Sequence, residues 1–367
     1  MPGSLNILLA PLDWGLGHAT RCIPLIRYLL EKHCQVTLAA QGATATLLKS
    51  NFPGLTILPI PGYHIQYSSS GKTLPFKILL QIPKILTAIQ KERRWLRRIQ
   101  QQNRYDLVIS DNRYGLKIKG VPSLILTHQL LIKTGGGAFL DQILRRIHYG
   151  ILEKFDGCWV VDEPDNKGIG GQLSHPGTIP VNARYIGILS QLVPAVRAEG
   201  LVSGEILILL SGPEPQRSIL ERLILAQIPK SSGYQFILVG GQPDGHFSDE
   251  IPANTVYFSH RNAAELTRLI SRAELVVCRS GYSTLMDLAF MGKKALLIPT
   301  PGQSEQTYLA TYLNRQGLFF VKSQSSLDLK TDLEKALAFP GFSEDNTYAA
   351  LDAMKKAVDD VIGKLRP

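Results

Sequence analysis

A glycine loop that ends in histidine follows the first apolar segment of the chain. Residues 5–10 predict a short buried strand, and Gly15, Gly17 and His18 come soon after it. Glycines allow a tight turn from strand to helix, and a helix N-terminus at that turn presents free N–H groups to an anion. Histidine exchanges protons near neutral pH, which makes His18 the leading candidate for a general base. A capping or packed histidine is the alternative that the spacing leaves open.

Two more residues of the first half are candidates to act beside His18. Asp111 follows the apolar segment 106–110, and His128 follows the apolar segment 123–127. Ligands of open α/β sheets bind beyond the carboxyl ends of the strands, so these loops are where catalytic groups are expected. Asp111 is therefore a second candidate base or the group that orients His18, and His128 is a third candidate base. Hydrogen-bonded loop residues without a catalytic role are the alternative.

A short polar loop follows the first strand-like segment of the second half, residues 205–210. Ser211 and Gly212, placed before a helix, predict a phosphate cradle, and Arg217 lies close enough in sequence to supply positive charge. Pro213 and Pro215 remove N–H donors from this loop. A plain strand–helix turn is therefore the alternative.

The loop that follows the buried segment 275–278 is the most specific of the three. Its small and polar residues, which would surround an anion at a helix N-terminus, are Arg279, Ser280, Gly281, Ser283 and Thr284. Asp287 lies about one helical turn further on, where an acidic side chain can accept hydrogen bonds from a ribose diol. A strand over 295–298 and a polar run with Gln303, Glu305 and Gln306 complete this unit.

Such loops need strands that alternate with helices, and the chain repeats this pattern twice. The strand segments of the first half are 5–10, 35–40, 55–60, 106–110, 123–127, 158–161 and 184–188, and those of the second are 205–210, 235–239, 256–258, 275–278, 295–298 and 319–321. The pattern predicts an α/β protein with two Rossmann-like domains whose parallel sheets face a central cleft. We expect domains over 1–190 and 205–345, a linker over 192–204, and a final helix within 346–367 that packs back on the first domain.

The composition is that of a globular protein, with 367 residues, 44% hydrophobic and 19% charged. The four cysteines have no metal-site spacing, which predicts reduced thiols, and we expect neither a metal nor a cofactor.

Residues 1–187 hold 22 lysines and arginines against 11 aspartates and glutamates, whereas residues 188–367 hold 18 against 19. This asymmetry indicates an anionic partner for the first half. A helix over 76–102 with many basic residues is a candidate for contact with anionic lipid, but a surface helix with a solvated basic face is the favoured interpretation. Nucleic acid is not expected as a partner, since no recognised motif accompanies the charges.

Residues Cys278 to Gln306 resemble the UDP-sugar site of glycosyltransferase family 28, the MurG-like N-acetylglucosaminyltransferases. The shared pattern is the Cys278–Gly281 loop, an acidic residue on the next helix, Gly292, an apolar strand, a proline and a glutamine. The loop of Gly15, Gly17 and His18 is similar to the family's first glycine loop. The resemblance implies the GT-B fold. It also implies metal-independent, inverting transfer of a sugar, N-acetylglucosamine in these members, from a UDP-sugar substrate to a lipid-linked or glycan acceptor.

The resemblance also implies roles for individual positions. Ser211 and Gly212 would meet the diphosphate, Ser280, Gly281, Ser283 and Thr284 would surround it, Asp287 would hold the ribose, Gln303, Glu305 and Gln306 would face the sugar, and Phe258 with Arg261 would lie beside the uracil. Asp287 stands where the family usually has glutamate. The family's acceptor signature is replaced by residues 110–115 and 127–129, which implies an acceptor different from that of peptidoglycan synthesis.

Three further functions share parts of this pattern. The spacing from Gly15 to Arg21 also resembles nucleotide-sugar hydrolases of the pseudaminic acid pathway, in which the histidine would activate water. A UDP-sugar 2-epimerase and a non-catalytic nucleotide-sugar-binding protein would need similar nucleotide loops. The basic first half favours a lipid-linked or macromolecular acceptor. We expect a cytoplasmic protein, peripheral on the inner face of the cytoplasmic membrane.

Overall fold

The computed structural model describes residues 4–13, 15–62, 74–132, 137–164, 168–192, 200–212, 214–231, 233–242, 250–342 and 347–366. The chain forms two compact units. The first comprises Met1–Leu189 with Tyr348–Pro367, and the second comprises Ser190–Thr347. The last helix therefore belongs to the first unit, and the second unit begins fifteen residues before 205.

The first unit is built on a parallel sheet of seven strands. These strands are β1 Asn6–Pro11, β2 Gln35–Ala39, β3 Thr56–Leu58, β4 Leu107–Asp111, β5 Ser123–Thr127, β6 Gly157–Val160 and β7 Ala183–Tyr185. Its helices are α1 Leu16–Glu31, α2 Gly42–Asn51, α3 Leu74–Asn103, α4 Ala138–Leu152 and, from the end of the chain, α10 Thr347–Leu365. The strand order is β3-β2-β1-β4-β5-β6-β7.

The second unit repeats the arrangement with six parallel strands. These are β8 Val202–Leu209, β9 Gln235–Val239, β10 Thr255–Phe258, β11 Ala273–Cys278, β12 Ala295–Leu297 and β13 Phe320–Val321. Its helices are α5 Gln216–Leu225, α6 Ala263–Arg272, α7 Tyr282–Phe290, α8 Ser304–Arg315 and α9 Leu329–Leu337. The strand order is β10-β9-β8-β11-β12-β13. The predicted pair of Rossmann-like parallel sheets is confirmed.

Each sheet reverses its strand order beside its first strand, between β1 and β4 in the first unit and between β8 and β11 in the second. At such a reversal, successive helices cover opposite faces of the sheet, and a crevice opens beyond the carboxyl ends of the two strands. The loops that start with Leu12, Asn112, Leu210 and Arg279 leave from these two reversals. The fold therefore gives each unit one favoured ligand edge.

The strands form where apolar residues run without interruption, because both faces of a covered parallel sheet are buried. All five residues of β4 and of β5 are buried, and Ile206, Ile208, Phe236 and Leu238 lie in the core of the second unit. The predicted linker is wrong at its end, since Val202 already begins β8. Val202 pairs with Ala273, and the Gly204 N–H donates to the Glu274 carboxylate at 2.6 Å, so a strand forms without an apolar run.

Helix α3 packs on the first sheet through most of the apolar residues whose side chains are described, while Leu86 is exposed. Trp95, Leu96 and Ile99 are buried in a core cluster with β1 and β4 residues. Glu92 lies buried on the same face and pairs with the buried Arg113 at 2.9 Å between Oε1 and Nη1. Through this ion pair, α3 fixes the loop that follows Asp111. This agrees with the interpretation of α3 as a surface helix packed on the sheet.

The basic residues of α3 point to the opposite side and are exposed. They are Lys84, Lys91, Arg93, Arg94, Arg97 and Arg98. The lipid-contact hypothesis also relies on apolar side chains within residues 78–82. These side chains are not among those that the structure describes. Over the described helices, none combines the length and the apolar character that crossing a bilayer requires.

Helix α10 belongs to the first unit through both apolar and polar contacts. Met354, Ala357, Val358 and Ile362 are buried. Asp359 accepts a hydrogen bond from the Tyr28 hydroxyl at 2.8 Å and pairs with Lys32 at 2.7 Å, while Asp360 pairs with Arg184 at 2.7 Å. The first unit is therefore completed by residues that follow the whole second unit in sequence.

Candidate functional site

The strand reversal of the first unit brings together residues from three of its loops. Gly15 has φ 106, a conformation that L side chains rarely adopt, and it lets α1 begin directly at Leu16. Gly17 and His18 are therefore the second and third residues of α1. Asp111 is the last residue of β4, and His128 follows β5. His18, in the first turn of the helix that follows β1, and Asp111, at the end of β4, thus come from the two sides of the reversal.

His18 and Asp111 form a hydrogen-bonded pair. His18 Nδ1 lies 3.1 Å from Asp111 Oδ2, with 15% of the His18 side chain exposed and 1% of Asp111. In the described part of the chain, no hydrogen bond reaches the second ring nitrogen of His18, Nε2. A buried carboxylate that orients one nitrogen of a partly exposed imidazole leaves the second nitrogen to exchange protons with a ligand.

Arg21 completes this cluster, and the sequence prediction did not include it among the site residues. It is 3% exposed, donates from Nε to Asp111 Oδ2 at 2.8 Å, and also pairs with Asp111 Oδ1 through Nη2. Nη1 lies 2.7 Å from His128 Nδ1, and Nη2 lies 2.9 Å from His18 Nδ1. The signal was present in the sequence: a residue three positions after His18 in a helix lies on the same face.

The charges in this cluster set the protonation of its members. Burial by itself would raise the pKa of Asp111, but Arg21 and His18 outweigh burial and hold that pKa well below its usual range. Burial lowers the pKa of His18, Asp111 opposes this, and Arg21 lowers it further. Asp111 is therefore ionised and His18 is neutral at neutral pH, which are the states a base and its orienting carboxylate need.

His128 does not have the geometry of a base at Nδ1. A guanidinium has only N–H donors, so the contact with Arg21 Nη1 requires Nδ1 to be the acceptor. The hydrogen of the neutral ring is then on Nε2. The structure thus brings all three predicted catalytic residues together but gives His128 the part of a hydrogen-bond donor.

The strand reversal of the second unit holds a buried cation, Arg279. It is 1% exposed, and Nη1 donates to the Ile298 and Pro299 carbonyls at 3.2 and 3.3 Å. Nη2 donates to the Gln216 carbonyl and to Gln324 Oε1. No carboxylate pairs with Arg279 among the residues that the structure describes. Burial lowers the pKa of Arg279 to about 10, so it stays charged at neutral pH.

Arg217, the second arginine predicted to supply charge, is neutralised by its own helix and loop. Its Nε donates to Glu214 at 2.7 Å and its Nη1 to Glu221 at 3.0 Å. Burial opposes the charge, but the two glutamates raise the pKa of Arg217. With two carboxylates already bound, Arg217 is not placed to serve as the phosphate-binding charge that the sequence suggested.

Two of the predicted donor ligands have internal partners. Ser280 is fully buried, and its hydroxyl donates to the Gln306 carbonyl at 2.8 Å. The Gln306 side chain accepts from the Thr300 N–H at 2.8 Å and donates to Gln303 Oε1 at 3.0 Å. These contacts tie the loop after β11 to the start of α8. The prediction that both side chains face the ligand is therefore corrected, because they hold the loops together instead.

The remaining predicted residues lie at the carboxyl edge of this sheet. Ser211 and Gly212 are exposed after β8, and Gly212 has φ 102, which favours glycine. Gly281 caps α7, so Ser283 and Thr284 are in its first turn, where the backbone N–H groups are free of helical bonds. Gln303 and Glu305 are half-buried at the start of α8.

Asp287 and Phe258 each have a defined neighbour. The Ser190 hydroxyl donates to Asp287 Oδ1 at 2.6 Å. Burial raises the pKa of Asp287 to about 7, although the hydrogen bonds from Ser190 and Gln191 oppose this. The Arg261 guanidinium stacks on the Phe258 ring, 3.6 Å from its centroid, at the end of β10. A planar cation on an aromatic ring offers a flat surface of the kind that a nucleobase stacks on.

Comparison with known proteins agrees with this architecture. The glycosyltransferase family 28 C-terminal domain matches residues 220–362. The crystal structure of the glycotransferase of kitacinnamycin covers 100% of both chains with a TM-score of 0.71 and 14% identity. The chain has the GT-B fold, and its second half is similar to glycosyltransferase family 28.

Two curated relatives of this chain differ in how much of it they cover. The UDP-N-acetylglucosamine–N-acetylmuramyl-(pentapeptide) pyrophosphoryl-undecaprenol N-acetylglucosamine transferase of Caldanaerobacter subterraneus subsp. tengcongensis is 32% identical over 110 residues, 29% of each chain. An uncharacterized glycosyltransferase of Methanosarcina mazei is 23% identical over 335 residues, 83% of this chain and 82% of the relative. These proteins are transferases, so the hydrolase alternative gains no support.

Proposed function

We propose that this glycosyltransferase moves a sugar, with inversion, from a UDP-sugar to a hydroxyl of a lipid-linked or glycan acceptor, with His18 as the base. The observation that carries the proposal is the hydrogen bond between His18 Nδ1 and the buried Asp111 at the strand reversal of the first unit. An inverting transfer needs one base for the acceptor and stabilisation of the leaving diphosphate, and no covalent intermediate.

In this mechanism His18 Nε2 takes the proton of the acceptor hydroxyl as its oxygen attacks the anomeric carbon of the sugar. The bond from that carbon to the diphosphate oxygen breaks, and UDP leaves with the electron pair. Asp111, held ionised by Arg21, stabilises the imidazolium that forms on His18. The ring later returns its proton to solvent.

The second unit supports binding of the diphosphate. Arg279 is a buried charge whose described partners are carbonyl and amide groups, and a buried charge is costly until an opposite charge compensates it. Gln216, at the N-terminus of α5, contacts Arg279, and Gly281, at the N-terminus of α7, follows it by two positions. Helix N-termini favour anions. We assign UDP because the Caldanaerobacter relative is named for UDP-N-acetylglucosamine.

The name of this relative also supports N-acetylglucosamine as the sugar and a lipid-linked acceptor. The exposed basic face of α3 supports a peripheral position on an anionic membrane, which is where a cytoplasmic enzyme would meet such an acceptor. No residue of the proposed chemistry requires a metal ion.

The test is UDP release from a panel of UDP-sugars, with and without membranes that carry polyprenyl-linked acceptors. We expect release that depends on acceptor and falls at least about a hundredfold in His18→Ala. The matched control is His33→Asn, which changes an exposed histidine at φ 57, a conformation that asparagine tolerates, and it should retain full activity.

Each contrary outcome would change a different part of the proposal. Release that needs His18 but no acceptor would make the protein a hydrolase. Binding of UDP-sugar without release under every acceptor condition would favour a binding protein. Full activity in His18→Ala would remove His18 as the base while leaving the transferase assignment intact.

A further inference from the structure

Arg21 contacts three titratable side chains at once, which is more than an ion pair with Asp111 requires. We propose that Arg21 is a positioning residue that keeps both His18 and His128 neutral and fixes the hydrogen of His128 on Nε2. For its role in catalysis this inference rests on the proposed function. For the protonation states themselves it rests only on the contacts within the first unit.

The tautomer of His128 follows from donor chemistry. Arg21 Nη1 lies 2.7 Å from His128 Nδ1, and a guanidinium nitrogen has no lone pair to accept with. His128 Nδ1 must therefore accept, which excludes both the imidazolium and the tautomer with hydrogen on Nδ1. His128 is 6% exposed, so water does not compensate for a wrong protonation state.

The neutrality of His18 follows from the same side chain. An imidazolium would place a second positive charge beside the Arg21 guanidinium, whose Nη2 lies 2.9 Å from His18 Nδ1, whereas the neutral ring that donates from Nδ1 to Asp111 adds no charge there. Asp111 favours that imidazolium, but both of its oxygens also accept from Arg21, so the attraction of its negative charge for a proton on His18 is reduced. A histidine beside a lone carboxylate would hold a proton more tightly, whereas this one meets a carboxylate that is already paired.

Three charged or titratable groups face His18: Asp111 from β4, His128 from the loop after β5, and Arg21 from its own helix. Cys22 contacts Asp111 at 3.8 Å through its thiol, and burial raises the pKa of that thiol well above its usual value, so it stays protonated. The consequence is a base that stays unprotonated to lower pH than a histidine beside an unpaired carboxylate would.

The direct test is histidine ring NMR on the full chain labelled with ¹⁵N-histidine, with signals assigned from His18→Ala and His128→Ala. In the wild type we expect His128 as the Nε2–H tautomer, and His18 unprotonated at about pH 6.5, where a free histidine is half protonated. This measurement needs no substrate. It therefore separates failure of this inference from failure of the proposed function.

Two variants test the cause. Arg21→Gln removes the charge, and the protonation midpoint of His18 should rise above the wild-type value. Arg21→Lys keeps the charge but lacks the fork, so His18 should stay close to wild type while the His128 tautomer is released. An unchanged unfolding midpoint shows that each variant is folded. A wild-type His128 with hydrogen on Nδ1, or equal His18 midpoints in the wild type and Arg21→Gln, would overturn the inference.

Activity gives a second readout that a purely structural role would not move. A like charge within a few ångströms changes a protonation equilibrium by about tenfold or more. The ratio of kcat/KM at pH 6 to that at pH 8 should therefore fall by about threefold in Arg21→Gln, about tenfold being the limit for such a change, and stay unchanged in Arg21→Lys. A uniform loss at both pH values in both variants would assign Arg21 to folding alone.

Discussion

At the scale of single residues, the two arginines of the second unit show why a charge has to be judged by its partners. Arg217 and Arg279 are both buried, at 5% and 1% exposure, and both were candidates for the diphosphate. Arg217 is bonded to two carboxylates, whereas the described partners of Arg279 are neutral oxygens. The electrostatic attraction for an anion therefore comes from Arg279.

Replacing Arg279 by glutamine should weaken UDP binding by about tenfold or more, because a charge-assisted contribution to the diphosphate is lost. Uridine, which has no phosphate, should bind within about twofold of the wild type. Calorimetry with the two ligands measures both effects. Gln324→Ala is the matched control, since it removes a tether of Arg279 and leaves the charge. If uridine binding falls as much as UDP binding, the role of Arg279 is to hold the loops.

The sequence predicted which residue types line the two ligand edges but not how they pair. His18 and Asp111 could be brought together from strand order, since both follow strands of one parallel sheet. The hydroxyl of Ser280 could not be assigned in that way. Its partner is the Gln306 carbonyl, 26 positions later, and a serine in such a loop is equally suited to a phosphate. Pairings of this kind depend on loop conformations that spacing does not determine.

At the scale of elements, the apolar and the basic residues of α3 have different roles. Trp95, Leu96 and Ile99 pack into the core of the first unit, so residues 91–99 of the helix present only a basic face to a partner. Contact of these residues with a membrane would be electrostatic, with none of their apolar side chains inserted. Binding of that kind is weakened by salt.

Replacing Lys91, Arg94 and Arg98 by glutamine should therefore weaken binding to anionic vesicles by about a hundredfold, at about 1 kcal/mol per charge. Co-flotation with phosphatidylserine vesicles measures the bound fraction, and about 0.5 M NaCl should abolish it in the wild type. The control replaces three exposed lysines elsewhere in the unit, Lys49, Lys119 and Lys154. An equal loss in the control would show that net charge, and not the α3 face, determines binding.

Elements were predicted best where apolar runs are long. All thirteen strands that the structure describes correspond to predicted segments, because a doubly covered strand must be apolar on both faces. The ends were less predictable. Gly17 and His18, which were expected in a loop, lie in the first turn of α1, because the φ of Gly15 lets this helix begin at Leu16.

At the scale of the whole molecule, the first unit is discontinuous in sequence. Met354 is 1% exposed, and Ile362 4%, in the part of α10 that packs into this unit. Met354→Ala should lower the free energy of unfolding by about 2–3 kcal/mol, through lost burial and the cavity left behind. Urea unfolding measures the change. Asp359→Asn, which removes the half-exposed pair with Lys32, should cost less than about 1 kcal/mol. Similar losses in both variants would mean that α10 is held by its surface contacts.

This discontinuity also bears on how the protein is made. A ribosome delivers the chain from its N-terminus, and domains generally fold in that order as they emerge. Here the unit that starts first is finished last, because α10 is translated only after every residue of Ser190–Thr347. The nascent first sheet therefore waits with the surface for α10 uncovered while the second unit already has its full sequence. During synthesis the order of completion is the reverse of the order of initiation.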